Sequence, residues 1–223
     1  SIIDKYNERA DKVNSLVCVG LDSEYEKLGG MSQFEFNKKI IDATHEHVAS
    51  YKLNIAFYEA RGDEGLRALK QTMDYLKEHH PDIFTICDAK RGDLGNTNRA
   101  YVTEIFDWLG FDSMTLHPYM GIESLEPFLK HTDKFFFILC RTSNPGAGEL
   151  QDLVVSGGTQ ESMPLWQFMA KKVSEKWNSG NNCGLAVGAT YPEEMKKIRD
   201  LTGDMTFLVP GIGAQGGSVE NTV

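Results

Sequence analysis

The chain is predicted to be an α/β protein, a (β/α)8 TIM barrel with its eighth strand missing from the sequence. Three observations carry that prediction. Short β-rich runs alternate six times with segments of helical period, the pattern of a parallel sheet whose strands are joined by helices. The length of 223 residues suits one large domain, since barrels of this kind run upward from about 200 residues. No Pro/Gly/Ser-rich linker or charge block divides the chain, so residues 1–223 are read as a single barrel domain, incomplete at its C-terminus.

In order, the expected strands begin with "LVCVGLD" (16–22), an apolar run ending in a carboxylate, and "VASYKLN" (48–54), with the helical segment "MSQFEFNKKIIDATHEHV" between them. The helix "EGLRALKQTMDYLKEHH" leads to "IFTICDAK" (83–90), and "NTNRAYVTEIFDWLG" leads to "SMTLHP" (113–118). "IESLEPFLKH" precedes the fifth strand, "FFFILC" (135–140). A glycine-rich stretch, residues 142–164, follows it and is expected to be a long loop, because unstructured segments of this length in compact domains are lids or binding loops. The helix "MPLWQFMAKKVSEKW", the strand "GLAVGAT" (184–190), the helix "PEEMKKIRDLTG" and the strand "MTFLVPG" (205–211) complete the series. All the helical segments place apolar residues at i, i+3 and i+4. Seven strands leave a barrel one unit short, and an open barrel exposes its lumen and two strand edges, so a longer natural sequence is expected.

Composition excludes several classes of function. The formal net charge is −9 and no run of Lys and Arg occurs, which argues against nucleic acid as a partner. No apolar stretch approaches the ~18 residues of a membrane span, and "SIIDKYNERADKV" lacks the order of a secretory signal, so a cytoplasmic protein is expected. Cys18, Cys87, Cys140 and Cys183 lie far apart inside apolar runs, with neither metal-ligand nor disulfide-motif spacing. They read as buried strand thiols.

The chemistry concentrates where strands end. Period two along "FTICDAK" sets Phe84, Ile86, Asp88 and Lys90 on one face and Thr85, Cys87 and Ala89 on the other. Lys52 and Asn54 share a face of the preceding strand, and the first strand ends in Asp22. Barrel active sites are built at the carboxyl ends of strands, and charges at that end of three successive strands point to a site rather than to solvated termini. "RGDLGNT" (91–97) then leaves through glycines, with Asp93 outside the two-residue period. Its Arg-Gly-Asp tripeptide is read as coincidental. Trp108, Trp166 and Trp177 fall in helical segments and read as core or interface; His79, His80 and His131 lie near helix ends, and His117 closes the fourth strand beside the mouth.

These residues resemble the orotidine 5′-monophosphate decarboxylase family. Its D-x-K-x-x-D signature is matched by Asp88, Lys90 and Asp93, and "VGLD", Lys52, "HPYMG" (117–121), "TSNPG" (142–146) and "VPGIGAQGG" (209–217) match it in family order over nearly the whole chain. The resemblance implies that Lys52, Asp88, Lys90 and Asp93 form an alternating catalytic array, with Asp93 and Thr97 donated to the partner subunit of a homodimer with shared active sites. It implies substrate-binding roles for Asp22, Asn54, Thr97, Ser143, Pro210, Gly211, Gly213 and Gln215. Among these, Asp22 would meet the ribose, Ser143 the pyrimidine edge, and Gln215 with the Gly211–Gly213 backbone the 5′-phosphate. The resemblance also implies a phosphate-binding arginine after the eighth strand, which is missing from this sequence.

The implied reaction is decarboxylation of orotidine 5′-monophosphate to UMP with no cofactor and no metal. Loss of CO₂ leaves an in-plane C6 carbanion without an adjacent π system, so fixed charge must act as the electron sink that cofactors supply elsewhere. Lys90 would stabilise the carbanion and protonate it. Asp88 would either position Lys90 or destabilise the substrate carboxylate. The alternatives are a magnesium-dependent sugar-phosphate barrel of the 3-keto-gulonate-phosphate decarboxylase type and a non-catalytic nucleotide-binding barrel.

Overall fold

The structure is a computed structural model that describes residues 1–157, 160–212 and 216–219. Seven parallel strands form its sheet: β1 (Cys18–Gly20), β2 (Ser50–Asn54), β3 (Phe84–Arg91), β4 (Ser113–Leu116), β5 (Phe135–Arg141), β8 (Cys183–Val187) and β9 (Phe207–Leu208), paired in that order. This is the curled wall of a TIM barrel lacking one strand among the described residues. The intervening β6 (Val154–Gly157) and β7 (Gln160–Pro164) pair antiparallel as a separate two-stranded unit. The stretch expected to be a featureless loop therefore contains a hairpin, preceded by a short helix, α7 (Gly148–Gln151). "VVSGGTQ" carries the signal, a β-branched pair followed by a Gly-Gly turn dipeptide.

The helices are α1 (Ile2–Val13), α2 (Gln33–Thr44), α3 (Ala56–Glu59), α4 (Gly62–His79), α5 (Gly95–Val102), α6 (Ile122–Leu129), α8 (Leu165–Lys172) and α9 (Pro192–Thr202). α5 and α8 widen at their ends into π turns over Thr103–Trp108 and Val173–Trp177. No helix among the described residues is long and apolar enough to cross a membrane. α1 was not among the expected elements, yet Ser1 and Asp4 form a capping box at its start.

Period two decides the packing. Tyr51, Leu53, Cys87, Met114, Phe136 and Ile138 point outward into the main core, against helical residues such as Ile41, Leu69, Phe128 and Trp166. Phe84, Ile86, Phe135 and Phe137 point into the lumen, where Ile2, Ile3 and Tyr6 of α1 pack against them. Tyr6 meets Phe84 edge to face at 5.8 Å. Lys5 bonds Asp112 at 2.8 Å and Arg9 bonds Asp82 at 2.9 Å, so α1 is pinned by charge as well as by apolar contact.

All four cysteines are free; Cys87, Cys140 and Cys183 are buried and Cys18 is half-buried in the lumen cluster. Burial pushes the Cys140 and Cys183 thiols up to about 12, which leaves them unreactive. Trp166 is buried and Trp177 packs on the core, whereas Trp108 is exposed. His79 and His80 end α4 on its outer side, where His80 stacks on His45 with ring centres 4.4 Å apart.

Candidate active site

Asp22, Lys52, Asp88 and Lys90 meet at the carboxyl edge of β1, β2 and β3. Lys52 Nζ lies 3.1 Å from Asp22 Oδ2 and 3.5 Å from Asp88 Oδ2. Lys90 Nζ reaches Asp88 Oδ1 at 2.6 Å. The charges alternate along the row, and exposure is lowest in its middle: the Lys52 and Asp88 side chains are 16% and 12% exposed, against 35% for Asp22 and 49% for Lys90. The most accessible member is thus a cation facing the mouth.

Backbone geometry at Lys90 departs from the regular pleat on which the period-two expectation rested. Lys90 has φ 48°, and the β3–β4 register shifts between Cys87 and Arg91. A left-handed residue that is not glycine costs about 1–2 kcal/mol. The surroundings that hold it include Thr115, whose Oγ1 accepts from Lys90 N at 2.9 Å and donates to Asp88 Oδ1 at 2.9 Å. Thr115 went unrecognised in the sequence, although "SMTL" places it with Ser113 on the lumen face, opposite Met114 and Leu116.

Burial pushes the Asp88 carboxyl up, but Lys52, Lys90 and the Thr115 hydroxyl outweigh it and hold the group below the usual carboxylate range. For Lys52, burial works against the ammonium, yet Asp22 and Asp88 more than offset it and the pKa is raised. Both groups are held in their charged forms. Removing one would strand a largely buried charge, the costly case for an ion pair in the interior.

The remaining expected residues are placed as follows. Asn54 N donates to Asp22 Oδ1 at 2.9 Å, while the Asn54 side chain accepts from Ala56 N at 3.1 Å and so caps the turn after β2. Asp93 forms no ion pair among the described residues; its carboxylate accepts from Leu94 N at 2.6 Å. Thr97 sits in the first turn of α5. Buried Asn98, also unrecognised beforehand, fixes this turn by accepting from Asp93 N at 2.9 Å and donating to Ser124 O at 2.8 Å. His117 packs against Gly92, where a Cβ would stand 2.9 Å from its Nε2.

Ser143 leaves β5 at the same edge of the sheet, and its carbonyl accepts from Thr190 Oγ1 at 3.2 Å. Gly188 faces it so closely that a Cβ would lie 2.8 Å from the Ser143 backbone. Pro210 O accepts from Ala189 N, and Gly211, at φ 102°, accepts from Gly217 N, each at 2.9 Å. Gly213 and Gln215 lie outside the described residues. Among the described residues no group of three or more His, Cys, Asp or Glu side chains could hold a metal ion.

With this geometry in place, comparison with known proteins is decisive. The profile described as "Orotidine 5'-phosphate decarboxylase / HUMPS family" matches residues 15–221. The chain belongs to that family. The orotidine 5'-phosphate decarboxylase of Cellvibrio japonicus is 46% identical over 231 residues, covering 100% of this chain and 82% of that protein. The solved structure of Leishmania donovani OMP decarboxylase superposes with a TM-score of 0.85 at 40% identity, over 95% of this chain and 80% of that one. Leishmania donovani UMP synthase superposes with a TM-score of 0.90 at 41% identity; it covers 100% of this chain, which spans 47% of the synthase. The barrel expected from the alternation of strands and helices is thus the barrel of the decarboxylase family.

Proposed function

We propose that the chain decarboxylates orotidine 5′-monophosphate to UMP in pyrimidine biosynthesis, as one barrel domain over residues 1–223 and without a cofactor. The observation that carries this reading is the alternating row Asp22, Lys52, Asp88, Lys90, which ends in an accessible ammonium at the mouth. Family membership supports the same substrate.

In the reaction the C6–carboxylate bond breaks, CO₂ departs, and the electron pair remains on C6. The Lys90 ammonium stabilises that pair through space and then transfers an N–H proton to C6, leaving a neutral amine that regains a proton from water. The 2.6 Å contact between Lys90 and Asp88 supports a positioning role for Asp88. Lys52 balances Asp88 and Asp22 within the row.

Ser143 meets the pyrimidine edge, Asp22 and Asn54 line the ribose end, and Pro210, Gly211, Gly213 and Gln215 form the phosphate end. Phosphate binding energy, realised far from C6, is available for closing "TSNPGAGEL" (142–150) over the substrate. Asp93 and Thr97 serve the site of the partner subunit in a homodimer. In support, the Asp93 carboxylate is not committed to the row of its own chain. Leu94, Tyr119 and Met120 are also exposed beside it, Tyr119 by 83%. A cytoplasmic location belongs to the same reading.

The test is the loss of orotidylate absorbance when protein is added in EDTA. Turnover under these conditions is expected. An absolute requirement for Mg²⁺, or turnover only of a sugar phosphate, would overturn the assignment.

A further inference from the structure

Arg141, the last residue of β5, is only 2% exposed. Its guanidinium lies 4.0 Å over the Tyr191 ring, with Nη1 3.0 Å from Asp152 and Nη2 3.8 Å from Glu194. Nε and Nη1 make no hydrogen bond among the described residues, so the group is held by charge and stacking. These partners come from two segments well separated in sequence. Asp152 follows α7 in the stretch after β5, whereas Tyr191 and Glu194 open α9 after β8.

Backbone contacts run alongside. Gly188 N donates to Arg141 O at 2.7 Å, and the Tyr191 hydroxyl donates to Asn144 O at 3.5 Å. Ala189 N donates to Pro210 O at 2.9 Å, which extends the connection to the turn after β9. Burying a guanidinium is unfavourable unless its charge is met, and an apolar side chain would fill this position at less cost. What arginine adds is a rigid fork that two carboxylates and an aromatic face can grip together.

We infer that Arg141 is a positioning residue that locks residues 142–157 to the β8–α9 junction, and thereby fixes Ser143 relative to the turn at Pro210–Gly211. It touches no reacting atom. The identity of the substrate rests on the reading proposed above; the mechanical coupling does not.

Asp152→Asn is the principal test, because Asp152 is 52% exposed and its loss leaves the core intact. Hydrogen exchange at the Ala147 and Asp152 amides should accelerate about tenfold while β2 and β3 amides stay unchanged. KM for orotidine 5′-monophosphate should rise about tenfold with kcat within about threefold, the signature of lost positioning in the bound state. Arg141→Met should produce the same changes, with Asp152→Asn adding nothing to them, and Arg141→Lys should recover part of the effect. If Arg141→Met does not fold, the cycle between Asp152→Asn and Glu194→Gln takes its place. Unchanged exchange in Asp152→Asn, or additive effects in the cycle, overturns the inference. A wild-type protein without turnover would sink the functional reading alone, since the exchange measurement still decides the coupling.

Discussion

Lys90 carries its ammonium on a left-handed backbone, and Thr115 is the side chain that bonds both that backbone and the carboxylate partner of the ammonium. Lys90→Ala should lower kcat/KM by ~10⁴ or more, because one group supplies both electrostatic stabilisation and the proton. A loss of about tenfold in steady-state assays would exclude the proton-donor role. Thr115→Val keeps the shape but strands Lys90 N–H and withdraws a donor from Asp88. A hydrogen bond to a charged group is worth about 1.5–3 kcal/mol, so kcat/KM should fall at least about tenfold. Wild-type kinetics in Thr115→Val would show that the bulge holds without it. The depressed Asp88 pKa stabilises the fold above the unfolded carboxylate value, and that contribution disappears as pH falls through the folded value. The raised Lys52 pKa contributes below its unfolded value of 10.5 and is lost as pH rises through the folded one. Urea midpoints of Asp88→Asn should therefore fall less steeply in acid than those of the wild type. Parallel acid limbs would contradict the assignment.

Elements meet at close approaches that allow no added atom. At Gly188 a methyl group would push against the Ser143 backbone, so Gly188→Ala should destabilise by about 1–3 kcal/mol and raise KM; an unchanged melting temperature and KM would show that the 142–157 segment yields freely. The order of strands was legible in the sequence because each β run sits between helical periods. Lys52 and Asp88 were legible because a regular pleat sends alternate residues into the lumen, and Asp22 because it closes the first apolar run, two residues beyond β1. Lys90 was reached for an incomplete reason: its side chain meets Asp88 across a bulge, and a bulge leaves no mark on residue period. Asn98 and Thr115 escaped notice because their work is to satisfy backbone groups, a need visible only once the turns are folded. The helix of Ile2–Val13 had its signals, a serine three residues before an acid and apolar residues on one face, but no barrel period calls for it.

For the whole molecule, the proposal that a second subunit completes the site makes a sharp prediction. Asp93→Asn and Lys90→Ala proteins should each be nearly inactive alone, yet mixed subunits should regain one complete site per heterodimer. Activity rising to about a quarter of wild type after refolding an equimolar mixture fits random pairing, in which half the dimers carry one good site of two. Absence of recovery would place Asp93 outside the partner's site. The pinning of α1 has a consequence for the order in which the fold is made. Lys5 and Asp112 are 107 residues apart and Arg9 and Asp82 are 73 apart, so the helix is synthesised long before its partners. Contacts of such separation must wait for loop closure. Until β5 has emerged from the ribosome, Ile2, Ile3 and Tyr6 lack half of the lumen cluster they enter, and the nascent chain carries them as an uncovered apolar stripe of the kind that chaperones hold.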